Sequence, residues 1–356
     1  MTYRERCDQF WKWFGENEEK LSDMLDNPKE YSSDEIVRFV SAGAAVLSDE
    51  LHFNLGGDHE FTFAVSGEEP LFYLLPYLVS RQPGQYREKW HFFPYMQSMK
   101  GASFDFGMYG RRISLDSVQI GMEYAPDSDS FTLRFYQEEL AQMEEGEGYN
   151  AFWIMLELMI GEGLARIYID GAKRVVEPEK GMFPLTELEQ RMTEAITANG
   201  KELMTRPDER YAGYQFEPQE NEELRYDVIT GNSCFISLIG DYYNESTDCI
   251  DVLERYGAKA CFLAFPYGQD DDRSAILNAR YELEDLLSEE VLGERGSGRE
   301  LGIVLGGAMG ALCAYIDLLI YDEPAFLAAV RPLLERYPYE FYLSDFRQHC
   351  ELTKLT

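Results

Sequence analysis

The residues of this chain best suited to chemistry are carboxylates set among apolar neighbours. Glu157 is the only charge in "AFWIMLELMIG", and Glu162 follows directly after that run. A carboxyl in an apolar setting holds its proton more tightly and can serve as a general acid. The competing role is structural: Glu157 at a helix rim, and Glu162 accepting from backbone N–H groups or from Arg166. Residues five apart do not share one helix face, so this spacing demands no paired-carboxylate site, and the structural role outweighs the catalytic one. Asp241 beside "YYN", and Asp317 with Tyr315, read as polar groups at strand ends or on an open sheet face, where they can line a small cleft. Glu157, Glu162, Asp241, Tyr315 and Asp317 are therefore the candidate binding residues, and no residue is assigned as catalytic.

Other chemistries lack their signatures. His52, His59 and His91 lie in or beside predicted strands, but no H-x-H or H-E-x-x-H spacing supports a zinc site. "QDDDR" at 269–273 offers oxygen ligands without the glycine and terminal Glu of an EF-hand, and reads as compensation of a helix N-terminus. The six cysteines form no C-x-x-C pair, and several stand in apolar runs such as "KACFLAF". They read as reduced core residues of a cytoplasmic protein. "AVSGEE" lacks the leading glycine of a nucleophile elbow. No metal and no cofactor is expected.

"LGGAMGALCAYIDLLIYDEP", residues 305–324, raises three questions at once. The phosphate reading fails, because Ala308 and Met309 stand where a Walker loop needs Lys and Ser or Thr. A membrane span is disfavoured by Asp317 and the glycines within it. Period two fits instead: Leu312, Ala314, Ile316, Leu318 and Ile320 fall on one side, which predicts a half-buried strand with an aliphatic face. "GIVLG" is then the preceding strand and "GAMGA" the turn. Asp322 caps the next helix, with Pro324 in its first turn and Pro332 a kink or break.

The elements that must position these residues follow from periodicity. Phe10, Trp13, Phe14, Leu21 and Met24 mark an opening helix, and Ser32 with Glu35 forms a capping box for a second. "LHFNL" and "FTFAV" alternate around a "GGD" turn as a hairpin. "SVQIGMEYA" and "FTLRF" alternate most cleanly, with Ile120, Met122, Leu133 and Phe135 inward. An apolar helix, the strand "ARIYI" and a helix capped by Thr186 follow. Residues 205–226 carry Pro, acids and scattered aromatics and read as a linker or wrapping segment. Beyond it come "CFISLIG" and "AKACFLAF" as strands, a helix between them ending at Gly257, and a helix through Ile276, Leu283 and Leu287. The expected fold is α+β in two domains, 1–204 and 227–356, each a largely antiparallel sheet with helices packed on one face.

Composition narrows the function. Of 356 residues, 65 are acidic and 32 basic, a formal net charge of -33. That surface repels nucleic acid and anionic lipid. Its commonplace meaning is solubility; its specific meaning is attraction of a basic protein. The N-terminal twenty residues hold charges throughout and no apolar stretch, unlike a signal peptide.

"FWKWF", the "HEFTFAVSG" strand, "EKWHFFP" and "LELMIGE" resemble the bacterial family called domain of unknown function 695, over roughly the first half of the chain. The resemblance implies a cytoplasmic bacterial α+β protein. It transfers no catalytic residue. The expected function is non-catalytic binding of a protein partner, a basic one, in an immunity-like role. The alternative is a small-molecule binder or enzyme using an acidic cleft between the domains.

Overall fold

The computed structural model describes residues 1–100, 102–219, 223–268 and 270–356. The fold is α+β, with mostly antiparallel sheets. Its contacts group into two compact units that are discontinuous in sequence. Met1–Phe61, Ser66–Phe92 and Tyr211–Thr356 form one, and Thr62–Val65 with Phe93–Arg210 form the other. This grouping differs from the division at 205–226 drawn from sequence.

The first unit is built on a seven-stranded sheet. Its order is Ala212–Gln215, Val228–Ser233, Gly302–Gly310, Cys313–Ile320, Lys259–Pro266, Tyr342–Asp345 and Thr353–Lys354. Every neighbouring pair is antiparallel. All eight residues of the strand Cys313–Ile320 are buried, so helices cover both faces here, where sequence suggested one. Ala314, Ile316, Leu318 and Ile320 pack beneath the helices Arg273–Leu286 and Glu323–Leu334. On the other face Tyr321 stacks at 4.3 Å on Tyr77 of the helix Leu71–Ser80. Tyr3, in the opening helix Tyr3–Asp26, meets Tyr321 edge-on at 5.7 Å. The N-terminal helix is anchored there by backbone: Tyr3 N–H donates to the Gly257 carbonyl (2.8 Å) and Arg4 N–H to that of Tyr321 (3.0 Å).

The second unit carries a four-stranded sheet in the order Ile169–Arg174, Ser130–Tyr136, Gln119–Ala125, Phe183–Pro184. Only its first pair is parallel. The alternating hairpin pairs as its periodicity predicts, Ile120 with Phe135 and Met122 with Leu133. Its inward face packs on the helix Glu145–Ile160, Phe135 stacking on Phe152 at 3.8 Å.

Several local expectations are corrected. "CFISLIG" enters the helix Ile236–Asn244 instead of a strand. "ARIYI" completes the helix Glu162–Tyr168 before the strand begins at Ile169. "GAMGA" is not a turn until its last residue, because the strand runs to Gly310. Thr186 lies in a 3-10 turn and bonds Asp116, and the helix Leu188–Ala198 has no side-chain cap. Within the segment read as a linker, Ala212–Gln215 is the edge strand of the large sheet; residues 220–222 lie outside the described residues. The caps at Ser32 and Asp322 form as expected. Gln269 of "QDDDR" is also outside the described residues, while Asp272 accepts from Ser274 N–H at 2.9 Å and caps its helix.

Candidate functional site

The five candidate residues do not gather into one site. Glu162 is 3% exposed and stands at the start of the helix Glu162–Tyr168. Its carboxylate accepts from Val65 N–H (3.0 and 3.2 Å) and from Met96 N–H (2.9 Å). It pins the backbone just after the strand Glu60–Ala64 and a loop at Met96, the backbone-partner role expected from sequence. Glu157, one turn earlier, is half-buried. Burial and then the Glu162 charge push its carboxyl up to about 7. No group of three or more His, Cys, Asp or Glu able to hold a metal occurs among the described residues.

Asp241 is not at a strand end. It lies in the helix Ile236–Asn244 and accepts from Cys249 N–H at 2.9 Å, tying down the start of the helix Asp248–Tyr256. Tyr315 and Asp317 are not on an open face either: both are fully buried. The reason is Arg225, a fully buried residue of the supposed linker. A buried carboxylate needs a partner of opposite charge, and Arg225 grips both oxygens of Asp317, with Nη2 to Oδ2 at 3.2 Å. Aromatic faces enclose the guanidinium: Phe346 at 4.7 Å, Phe262 at 5.2 Å, Tyr315 at 5.3 Å and Tyr242 at 5.9 Å. Such faces favour a cation. Burial alone disfavours the charge on Arg225, and the Asp317 carboxylate overcomes it, raising the pKa further. Burial pushes Asp317 up while Arg225 pulls it down. The two-pronged geometry is that of an ionised pair. Tyr315 O–H donates to Asp227 (2.5 Å), which also accepts from Leu312 and Cys313 N–H and so closes the hairpin turn. This network holds a sheet together, and its Arg225, Tyr315 and Asp317 are fully buried.

The glycines of "LGGAMG" have a different purpose from phosphate binding. Gly306 sits at a bulge with φ 143°, and a side chain there would strike the Asn232 carbonyl. At Gly307 a Cβ would come within 2.6 Å of Glu284 Oε1 and 2.8 Å of Arg280 Nη1. The missing side chain seats an Arg–Glu pair from the overlying helix. Arg280 is 3% exposed. Its Nε lies 3.5 Å from Glu284 Oε1, and neither atom makes a hydrogen bond with any described residue. Burial pushes the Glu284 carboxyl up to about 7, against the pull of Arg280.

One turn beyond Glu284, the helix passes into a π-helical turn, Leu287–Leu292. Such turns widen the helix and recur at functional sites. Here the turn borders a cleft of about 350 Å³, with Ser288, Leu292, Glu294, Arg295, Ile303 and Val304 among its walls. The Val304 carbonyl accepts from Tyr211 O–H (3.2 Å) and Arg295 Nη2 (3.3 Å). A shallower groove of about 400 Å³ lies in the second unit along Thr186, Glu189 and Thr193.

Sequence reading missed Arg225, Arg280 and Glu284. Arg280 was legible, because it falls in the stripe Ile276, Leu283, Leu287, where a charge must be buried. Comparison of the chain with protein-family models, with curated proteins and with solved structures finds no match.

Proposed function

We propose that the chain is a non-catalytic binding protein whose acidic surface receives a basic protein partner, in the manner of an immunity protein that neutralises a basic toxin. The observation that carries this reading is the charge: 65 acidic residues against 32 basic ones, a formal net of -33. Charge of one sign accelerates encounter with a partner of the other. Aromatics supply the anchoring contacts of most interfaces, and Tyr109, Tyr211, Phe216 and Tyr281 are exposed. The buried candidates Glu162, Tyr315 and Asp317 are engaged in internal bonds, which argues against using them for catalysis. A reducing, cytoplasmic setting belongs to the same proposal and is supported by six free cysteines, five of them buried. No helix among the described residues is long and apolar enough to cross a membrane.

The test is capture from lysate at low ionic strength, followed by purification of the captured protein and reconstitution from the two components. A basic protein that re-forms an equimolar complex supports the reading. Captured proteins that fail to reconstitute, or an empty column, overturn it.

A further inference from the structure

The seven-stranded sheet ends in two edges that are built differently. One is the strand Thr353–Lys354, two residues long, whose Lys354 pairs with Glu340. A short strand carrying a lysine blunts an edge. The other is Ala212–Gln215, which holds no charge, no proline and no bulge. Ala212, Gly213 and Gln215 are exposed.

The register shows which backbone groups this edge leaves free. Phe216 N–H donates to the Ile229 carbonyl at 3.0 Å, in line with the pairing of Tyr214 with Gly231 and Ala212 with Ser233. Along an antiparallel strand, successive residues turn their N–H and C=O groups to alternate sides. Ala212, Tyr214 and Phe216 therefore bond inward. Gly213 and Gln215 turn both groups outward, where the sheet has no further strand among the described residues. Such a row is a template for one more strand.

Side chains alternate between the two faces of the sheet. Tyr214 and Phe216 share one face, their rings 5.4 Å apart, and Tyr243 lies 4.4 Å from Phe216. Phe216 is 39% exposed, so this face offers apolar contact to an added strand. By the same alternation the exposed Glu217 falls on the opposite face, with Gly213 and Gln215. The sequence from Tyr211 to Leu224 holds four Glu and no Lys or Arg. An added strand is thus asked for apolar side chains on one face and basic ones on the other. A second copy of this chain would bring the same acids to the same edge, and its formal charge of -33 would oppose the approach.

We propose that the edge strand Ala212–Gln215 receives an extended segment of the partner protein by strand addition, with basic and apolar side chains alternating along that segment. The assignment rests on the protein-partner reading and names the surface that serves it.

The probe is the capped heptapeptide Lys-Val-Lys-Val-Lys-Val-Lys, titrated calorimetrically into the full chain at low ionic strength, with amide hydrogen exchange read by NMR. It should bind saturably and one to one, and at saturation the Gly213 and Gln215 N–H groups should exchange about tenfold or more slowly. The same peptide N-methylated at every residue keeps its charge but cannot donate to a ladder, and should bind about tenfold or more weakly. Gly213→Pro removes an outward N–H and leaves the inner ladder intact, so it should weaken the peptide by a similar factor without moving the urea unfolding transition. Gln215→Pro supplies the same test should Gly213→Pro distort the strand. Equal binding of the methylated peptide, unchanged exchange at Gly213 and Gln215, or no saturable binding overturns the proposal. So does protection of these two N–H groups that grows with the concentration of the chain alone, which would make a second copy the occupant. A purified basic partner that binds the proline variants as tightly as the native chain overturns the edge assignment and leaves the binding role standing. Peptide bound at the edge with no partner captured from lysate counts against the role and supports the edge.

Discussion

Asp317→Asn should destabilise the protein far more than an ordinary polar substitution. Asp317 and Arg225 are both fully buried, and Arg225 places two donors on the carboxylate. Removing one member of a buried pair leaves the other as an uncompensated charge, at a cost of about 3–5 kcal/mol. The asparagine keeps one acceptor and the surrounding aromatic faces still favour the cation, so the lower half of that range applies. Whole domains are stable by about 5–15 kcal/mol, so the loss is readily measured. The assay is urea unfolding followed by tyrosine and tryptophan fluorescence. The double variant Arg225→Met with Asp317→Leu removes both charges and fills the space with apolar atoms. It should recover most of the loss, because a buried pair and its apolar replacement are close in stability. A single-variant loss below about 1 kcal/mol would refute the reasoning, since it would mean that water reaches Arg225. A double variant as unstable as the single one would also refute it.

Glu162→Ala should cost about 1–3 kcal/mol for each of the Val65 and Met96 N–H groups left without an acceptor; Glu162→Gln, which keeps one acceptor, should cost less in the same urea series. Gly307→Ala should destabilise by about 1–3 kcal/mol, because its methyl would lie 2.5 Å from the Tyr315 carbonyl, a backbone atom that cannot swing aside. Glu157 holds its proton up to about 7 against an ordinary 4.5. The native state therefore binds the extra proton between those values, and the contribution of Glu157 to stability is full below pH 4.5 and falls as pH rises towards 7. Glu157→Gln stays neutral, so its stability relative to the native sequence should rise between pH 4.5 and pH 8, and an unchanged difference would refute the assignment.

What was legible in the sequence was local. The hairpin around Pro126 pairs as its alternation requires, since a slip of one residue would turn Ile120 and Phe135 out of the core. Ser32 and Asp322 cap their helices because the hydroxyl or carboxylate and the waiting N–H lie within three residues of each other. "CFISLIG" was misread because a short apolar run carries no decisive period. Carried on to Tyr242, the same stretch shows Phe235, Leu238, Ile239 and Tyr242 buried at helical spacing. The nature of the central strand was hidden for a different reason. Its Tyr315 and Asp317 look like a solvent face until Arg225, 92 residues away from Asp317, is brought to them. Charge pairing across such a distance leaves no periodic trace. A lone Asp in an otherwise apolar strand was nevertheless a sign that a cation had to be supplied from elsewhere.

The binding role is tested most directly by titrating the chain with its purified captured partner at two ionic strengths. An acidic surface carrying the formal charge of -33 predicts a saturable equimolar complex that forms faster and tighter at low salt and weakens steeply as salt screens the attraction. A complex indifferent to salt, or no saturable complex with any basic partner, would contradict it.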